Sequence, residues 1–290
     1  MSSVSTVSTN NNDNNFRNAA IGATGVAVAW EAEPYLKKGI LFPVRKYIKP
    51  RVKAIQGGGY LPYVEKAVKQ HKLEKDFKVL DLNYATARSI RKTLEMDSRK
   101  VSPFQKLLCH ILRVPCNMER TFKATLNGQN AFFSPRHNAI VCNFDKFGAP
   151  AFHEISHKLN SKSSNILVKT LSKIRNPLAV FGTLGVSACA IFTDPKKENE
   201  KPVGVKDFVK QHCGLMATTM MLPLTIEEFI ANSKGTKVAK QAGVTGELLK
   251  KVKKSHKISN VSYITGAIAT GLAVQAASVI RDAICAQKQK

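Results

Sequence analysis

Apolar and polar positions change their rhythm several times along the chain. Residues 1–17 begin MSSVSTVSTNNNDNNF, rich in Ser, Thr and Asn with the single acid Asp13. With so little to bury, they are predicted to form a disordered tail. Residues 18–30 (NAAIGATGVAVAW) are uncharged over 13 positions. That is short of the roughly 20 residues a membrane helix needs, so the segment reads equally as an interfacial or loosely inserted one and as a span. Pro43, Pro50 and Gly57-Gly58-Gly59 then punctuate a linker-like stretch. From Pro62 to Val114 the spacing turns helical, with Val64, Ala67 and Val68 on one face and Phe104, Leu107, Leu108, Ile111 and Leu112 on another. Residues 18–118 are therefore read as an N-terminal helical region.

Between 119 and 143 the period shortens. Phe122, Ala124 and Leu126 alternate, Asn127-Gly128 signals a turn, and Ala139-Ile140-Val141-Cys142 is a short β-rich run. A small hairpin or meander is predicted, followed by a helix that Pro150 opens at its first turn. Three uncharged stretches come next, at 176–193, 211–226 and 259–280, spanning 18, 16 and 22 residues. The last is long enough to cross a bilayer, the first marginal and the second short. The first two also fit buried helices of a soluble core, since their Gly, Ala, Ser and Thr suit close packing in either setting. The expected class is α+β, mainly α, with a small hairpin and apolar helices that read as transmembrane. A core would occupy 119–258, with an apolar hairpin at 176–226, and 259–290 would supply a C-terminal apolar helix and basic tail.

Composition adds a second layer. Forty-five Lys and Arg against 20 Asp and Glu give the 290-residue chain a formal charge of +25, with 43% hydrophobic residues. This excludes a disordered polyelectrolyte and leaves two readings of the charge, a nucleic-acid surface or lysines flanking membrane segments. Six scattered cysteines with no CxxC suit a reducing compartment and buried thiols. Cys109-His110 with Cys116 lacks the usual two-pronged metal clamp.

Candidate chemistry lies in the helix after Pro150, which carries His153-Glu154-Ile155-Ser156-His157. On a helix, positions i and i+4 share a face, so both imidazoles can grip one Zn²⁺ while Glu154 sits beside the open position as general base. A catalytic zinc needs a third protein ligand. His212, Asp194, Glu227 and Glu228 are the downstream candidates. Glu228 is favoured by its setting in Glu227-Glu228-Phe229-Ile230-Ala231-Asn232. Asn232 lies one turn on, placed to orient a ligand, and Ala231 offers a small surface to a packed helix. Glu227 points about 100° away on a helical wheel and reads as a solvated neighbour.

HEISH, two apolar segments and then EFIAN resembles the HExxH…ExxAD arrangement of the membrane-embedded zinc metallopeptidases of the CAAX-prenyl-protease and HtpX-type group. Asn130-Ala131-Phe132 followed by Asn138-Ala139-Ile140-Val141 is similar to that group's NAF strand region. The resemblance covers about residues 119–240. It departs at Asn232, where the family has Asp, and at Lys158, commonly uncharged in zincins. It implies a zincin-like core and a zinc-dependent endopeptidase. Its ligands would be His153, His157 and Glu228, its base Glu154, and Asn130, Ala131 and Phe132 would form the strand on which an extended peptide substrate lies.

If His157 and Glu228 share one metal, the chain between them crosses a membrane an even number of times. The loop 194–210 holds five Lys against Asp194, Glu198, Glu200 and Asp207, whereas residues 234–257 hold eight Lys against Glu247. The bias of cytoplasmic loops toward Lys and Arg then places the metal side in the cytoplasm of an integral membrane protein contacting lipid. Two rivals remain: a basic nucleic-acid-binding protein, and a non-catalytic membrane scaffold with an accidental HExxH. No nucleic-acid partner is expected, because aromatics are only 7% of residues and no binding motif occurs.

Overall fold

The computed structural model describes residues 9–96, 102–111, 118–134, 136–194 and 204–286. The chain divides into two compact units, one of Met1–Pro43, Phe181–Leu222 and Thr265–Lys290, the other of Val44–Val180 and Pro223–Ile264. Charge is distributed very unequally between them. The second unit holds 34 basic and 12 acidic residues, +22 of the chain's +25.

Helix α1 runs Thr9–Ile55, so the predicted tail is helical from Thr9, and residues 1–8 lie outside the described residues. The predicted linker is also helical up to Ile55. Pro43 and Pro50 leave the carbonyls of Gly39 and Lys46 without helical donors, but all four residues are exposed and water can satisfy those groups. In the second unit there follow α2 (Leu61–Gln70), β1 (Lys78–Asp81), α3 (Ala87–Thr93), α4 (Pro103–Ile111), α5 (Glu119–Leu126), β2 (Ala131–Ser134), β3 (Ala139–Cys142), α6 (Ala151–Ser161) and α7 (Ile166–Pro177).

The sheet has the order β1-β3-β2. Strand β3 pairs in parallel with β1, Lys78 opposite Ala139, and antiparallel with β2, Ala131 opposite Cys142. Its four residues are all buried, as a strand covered on both faces requires. Ile140 and Cys142 face a core that includes Phe152 and Ile155 of α6. Val141 points the other way, to Phe132, Leu82, Ile90, Leu94 and Phe122. Strand β2 is left as a sheet edge.

Two local predictions change here. The alternating residues 119–126 form helix α5, and Gly128 (φ +68°) closes it, with Gly128 N–H donating to Thr125 O and Gln129 N–H to Ala124 O. The Asn127-Gly128 signal is thus a helix C-cap rather than a hairpin turn. Residues 78–81, inside the stretch read as helical, form β1 because pairing with β3 overrides local periodicity. Cys116 lies outside the described residues, whereas Cys142, Cys213 and Cys285 are buried.

After α7 the chain makes a π-helical turn at Leu178–Gly182 and continues as α8 (Thr183–Phe192). The turn follows Pro177, which cannot donate to the helix ladder. Then come α9 (Val205–Gln211), α10 (Cys213–Met220), α11 (Leu222–Gln241) and α12 (Gly246–Ala286). The first unit packs through small residues, with Val186, Ala190, Cys213, Ala217 and Val274 in one cluster and Ala29, Ile191 and Ala277 in another. Among the described residues, three helical segments are long and apolar enough to cross a membrane: Ile166–Phe192, Cys213–Gln241 and Gly246–Ala286. Each contains most or all of one of the uncharged stretches.

Helix α6 is held from below by Phe152 and Ile155, both fully buried. Ile155→Ala should therefore cost about 2–5 kcal/mol, read as a lowered unfolding midpoint of the helical signal.

Candidate metal centre

His153 and His157 lie one turn apart on α6, and Glu228 reaches them from α11. Close approach of these helices depends on small residues. Ala231 is fully buried, and a Cβ on Gly235 would come within 2.9 Å of Phe152 O and 3.0 Å of His256 Cε1. The predicted small surface is present and extends one turn beyond Ala231.

His153 Nε2 and His157 Nε2 are 2.9 Å apart. Glu228 Oε2 lies 2.9 Å from the first and 3.5 Å from the second. The outer ring nitrogens are engaged elsewhere. His153 Nδ1 meets Asn232 Oδ1 at 2.8 Å. The Asn232 amide is itself oriented, because its Nδ2 donates to Asn260 Oδ1 at 2.6 Å, so its oxygen is left to accept from His153. His157 Nδ1 lies 3.0 and 2.9 Å from the two oxygens of Glu227. With each Nδ1–H donated outward, both Nε2 atoms present lone pairs to one another and to a carboxylate. Glu228 Oε2 is buried and finds no donor while both Nε2 atoms are unprotonated. Three acceptors in one buried spot repel one another; the Arg175 guanidinium, 3.4 Å from His157 Nε2, offsets part of that repulsion, and a proton or a metal ion between them would offset the rest.

The three side chains form a group able to hold a metal ion. The sequence-derived set of His153, His157 and Glu228 is thus brought together, with Asn232 behind His153. Glu154 is half-buried and lines a cavity of about 390 Å³ with Asn130, Ala131, Asn232, His256 and Tyr263. Phe132 is buried under the sheet. Desolvation raises the Glu154 carboxyl above its ordinary pKa, against the lowering pull of His153 and His157.

Glu227 departs from expectation. It is fully buried rather than solvated, and besides His157 it accepts from Asn160 Nδ2 at 2.9 Å and from Arg175. Arg175 Nη1 also donates to Glu228 Oε1 at 2.7 Å, so one guanidinium ties the two adjacent carboxylates. Asn160 could have been found, since 153, 157 and 160 share a helical face. Two neighbouring acids between apolar residues were a signal for Glu227, but nothing local marked Arg175. The other ligand candidates lie apart. Asp194 pairs with Arg281 at 2.5 Å, and His212 packs on the Phe208 ring. Lys158 turns away to Asp76, 3.6 Å distant.

The chain matches no protein-family model, no curated protein and no solved structure.

Two expectations follow from this geometry. Glu227→Ala should weaken metal retention about 10–100-fold although Glu227 is not a ligand, as measured by Co²⁺ titration. Burial pushes the His157 pKa down, but hydrogen bonds to Glu227 and Glu228 prevail and raise it to about 9. Below that pH a metal must displace the His157 proton, so affinity should rise about tenfold per pH unit between 6 and 8. A pH-independent titration would contradict this.

Proposed function

We propose that the protein is a membrane-integral, zinc-dependent endopeptidase. The observation that carries the reading is the convergence of His153 Nε2, His157 Nε2 and Glu228 Oε2, their outward nitrogens already engaged. Zinc bonds of about 2.0–2.1 Å at tetrahedral angles put ligand atoms about 3.3 Å apart, close to the 2.9, 2.9 and 3.5 Å separations here. Two imidazoles and one carboxylate are also a catalytic rather than a structural zinc set.

Zinc bound by these three residues would act as a Lewis acid toward a peptide carbonyl and make a water more acidic. Glu154, in the cavity wall, takes the proton of the attacking water on a carboxylate oxygen. It then delivers that proton to the departing amide nitrogen, and its raised pKa suits both transfers. Strand β2 offers the free edge of the sheet to an extended peptide. Asn130 and Ala131 line the cavity beside Glu154, so backbone pairing there brings a substrate carbonyl toward the metal ligands. Phe132, buried in the core, acts by fixing the strand. Asn232 and Glu227 hold the imidazoles in the tautomer a metal needs.

Three membrane-length helices support an integral protein. The concentration of positive charge in the unit carrying the site supports a cytoplasmic placement of the metal.

The test is zinc content and proteolysis of an unstructured protein such as casein, both in detergent. Wild type should hold near-stoichiometric zinc and cleave. Glu154→Gln should keep the zinc and lose cleavage by at least about 10²–10⁴-fold, and His153→Ala should lose both. Cleavage by Glu154→Gln at the wild-type rate would falsify the reading.

A further inference from the structure

The structure points to a second interaction surface, away from the metal. From Pro34 to Val64 the sequence contains no acid, yet residues 37–53 hold seven Lys and Arg. Within the second unit, the last turns of α1 divide this stretch into two faces. Ile48, Val52 and Ile55 face inward and line the cavity that holds Glu154. Arg45, Lys46, Tyr47, Lys49 and Lys53 are exposed on the other side.

Among the described residues, no carboxylate pairs with Arg45, Lys46, Lys49 or Lys53. Like charges at i and i+4, as at 45, 49 and 53, destabilise a helix. Among the described residues the row is therefore uncompensated, and an external negative surface would complement it. Tyr47 stands in the middle, 55% exposed. The Arg51 guanidinium lies 3.3 Å from the centre of its ring and donates to Tyr47 O at 2.9 Å. A nucleic-acid site would need several open aromatic faces for bases to stack on, and here one face of a single ring is already taken by Arg51. A cationic face with an amphipathic tyrosine instead suits the headgroup layer of a bilayer. The same chain has three helices long enough to cross one.

We propose that the exposed face of α1 from Arg45 to Lys53 docks on anionic phospholipid. A cation near such a surface contributes a factor of roughly five in binding, so four together select anionic lipid from a neutral excess. The cavity walled by the opposite face then lies about one helix diameter, 10–12 Å, from the headgroups, and lipid composition bears directly on its wall.

Trp30 is the single tryptophan, which allows a site-specific reporter. The full chain, carrying Tyr47→Trp in a Trp30→Phe background, is placed in nanodiscs of phosphatidylcholine with a minor share of phosphatidylserine. Bromine is put on the acyl chains of one lipid or the other. Brominated phosphatidylserine should quench at least fivefold more than its mole share predicts, and high salt should reduce the excess. Replacing Arg45, Lys46, Lys49 and Lys53 together by Gln should abolish the enrichment. Arg45→Lys with Lys46→Arg, Lys49→Arg and Lys53→Arg should retain it, which separates lost charge from lost structure. Quenching in proportion to mole share, or enrichment that survives the Gln substitutions, overturns the proposal. So does salt-sensitive binding of a DNA oligonucleotide to this face with no lipid enrichment.

Discussion

Two imidazole nitrogens and a carboxylate oxygen, all acceptors, are pressed together at the junction of α6 and α11, and they repel one another unless a cation joins them. Much of the second unit can be understood as the means of holding that arrangement against its own repulsion. The sheet and the edge-on pair of Tyr60 with Phe152 of α6 fix one helix. Ala231 and Gly235 let the other approach to backbone contact. Asn232 and Glu227 then occupy the outer nitrogens, so each ring has one orientation and one tautomer.

Electrostatics within this cage are balanced locally. Glu227 and Glu228 are adjacent and buried, a pairing that is costly when left unneutralised. Arg175 donates to both, and Asn160 and His157 satisfy the rest of Glu227. A divalent ion would add positive charge to a cluster already close to balance, in the place a proton on His157 can otherwise take.

On a larger scale, the chain's charge follows its architecture. The first unit, with 11 basic and 8 acidic residues, is nearly neutral, and it packs by small apolar side chains as helices in lipid do. The second unit carries almost all the excess. Part of that excess, on α1, has no acidic partner among the described residues, while Lys158 and Lys162 share Asp76. The net charge is thus an argument about a surface and its orientation rather than about the fold.

The HExxH pair, Glu228 as the residue that joins it and the apolar helices were legible in the sequence because each rests on helical periodicity or bulk apolarity, properties of neighbouring residues. Strand β1 was not, since KVLD is extended only through its parallel partner, about 60 residues further on. Helix α5 was misread because its alternating apolar residues fit both periods over eight positions, and Gly128 as a helix cap decided between them. The linker reading differs from the structure because α1 runs through Pro43 and Pro50, whose orphaned carbonyls face water, and the predicted tail is helical from Thr9. Arg175 and the buried state of Glu227 depend on contacts across more than 50 residues. Local pattern alone thus singled out the residues of the candidate metal group, His153, His157 and Glu228. The tertiary structure alone decided which nitrogens point into that group and what neutralises it, because hydrogen-bond partners and burial are set by helices packed from distant parts of the chain.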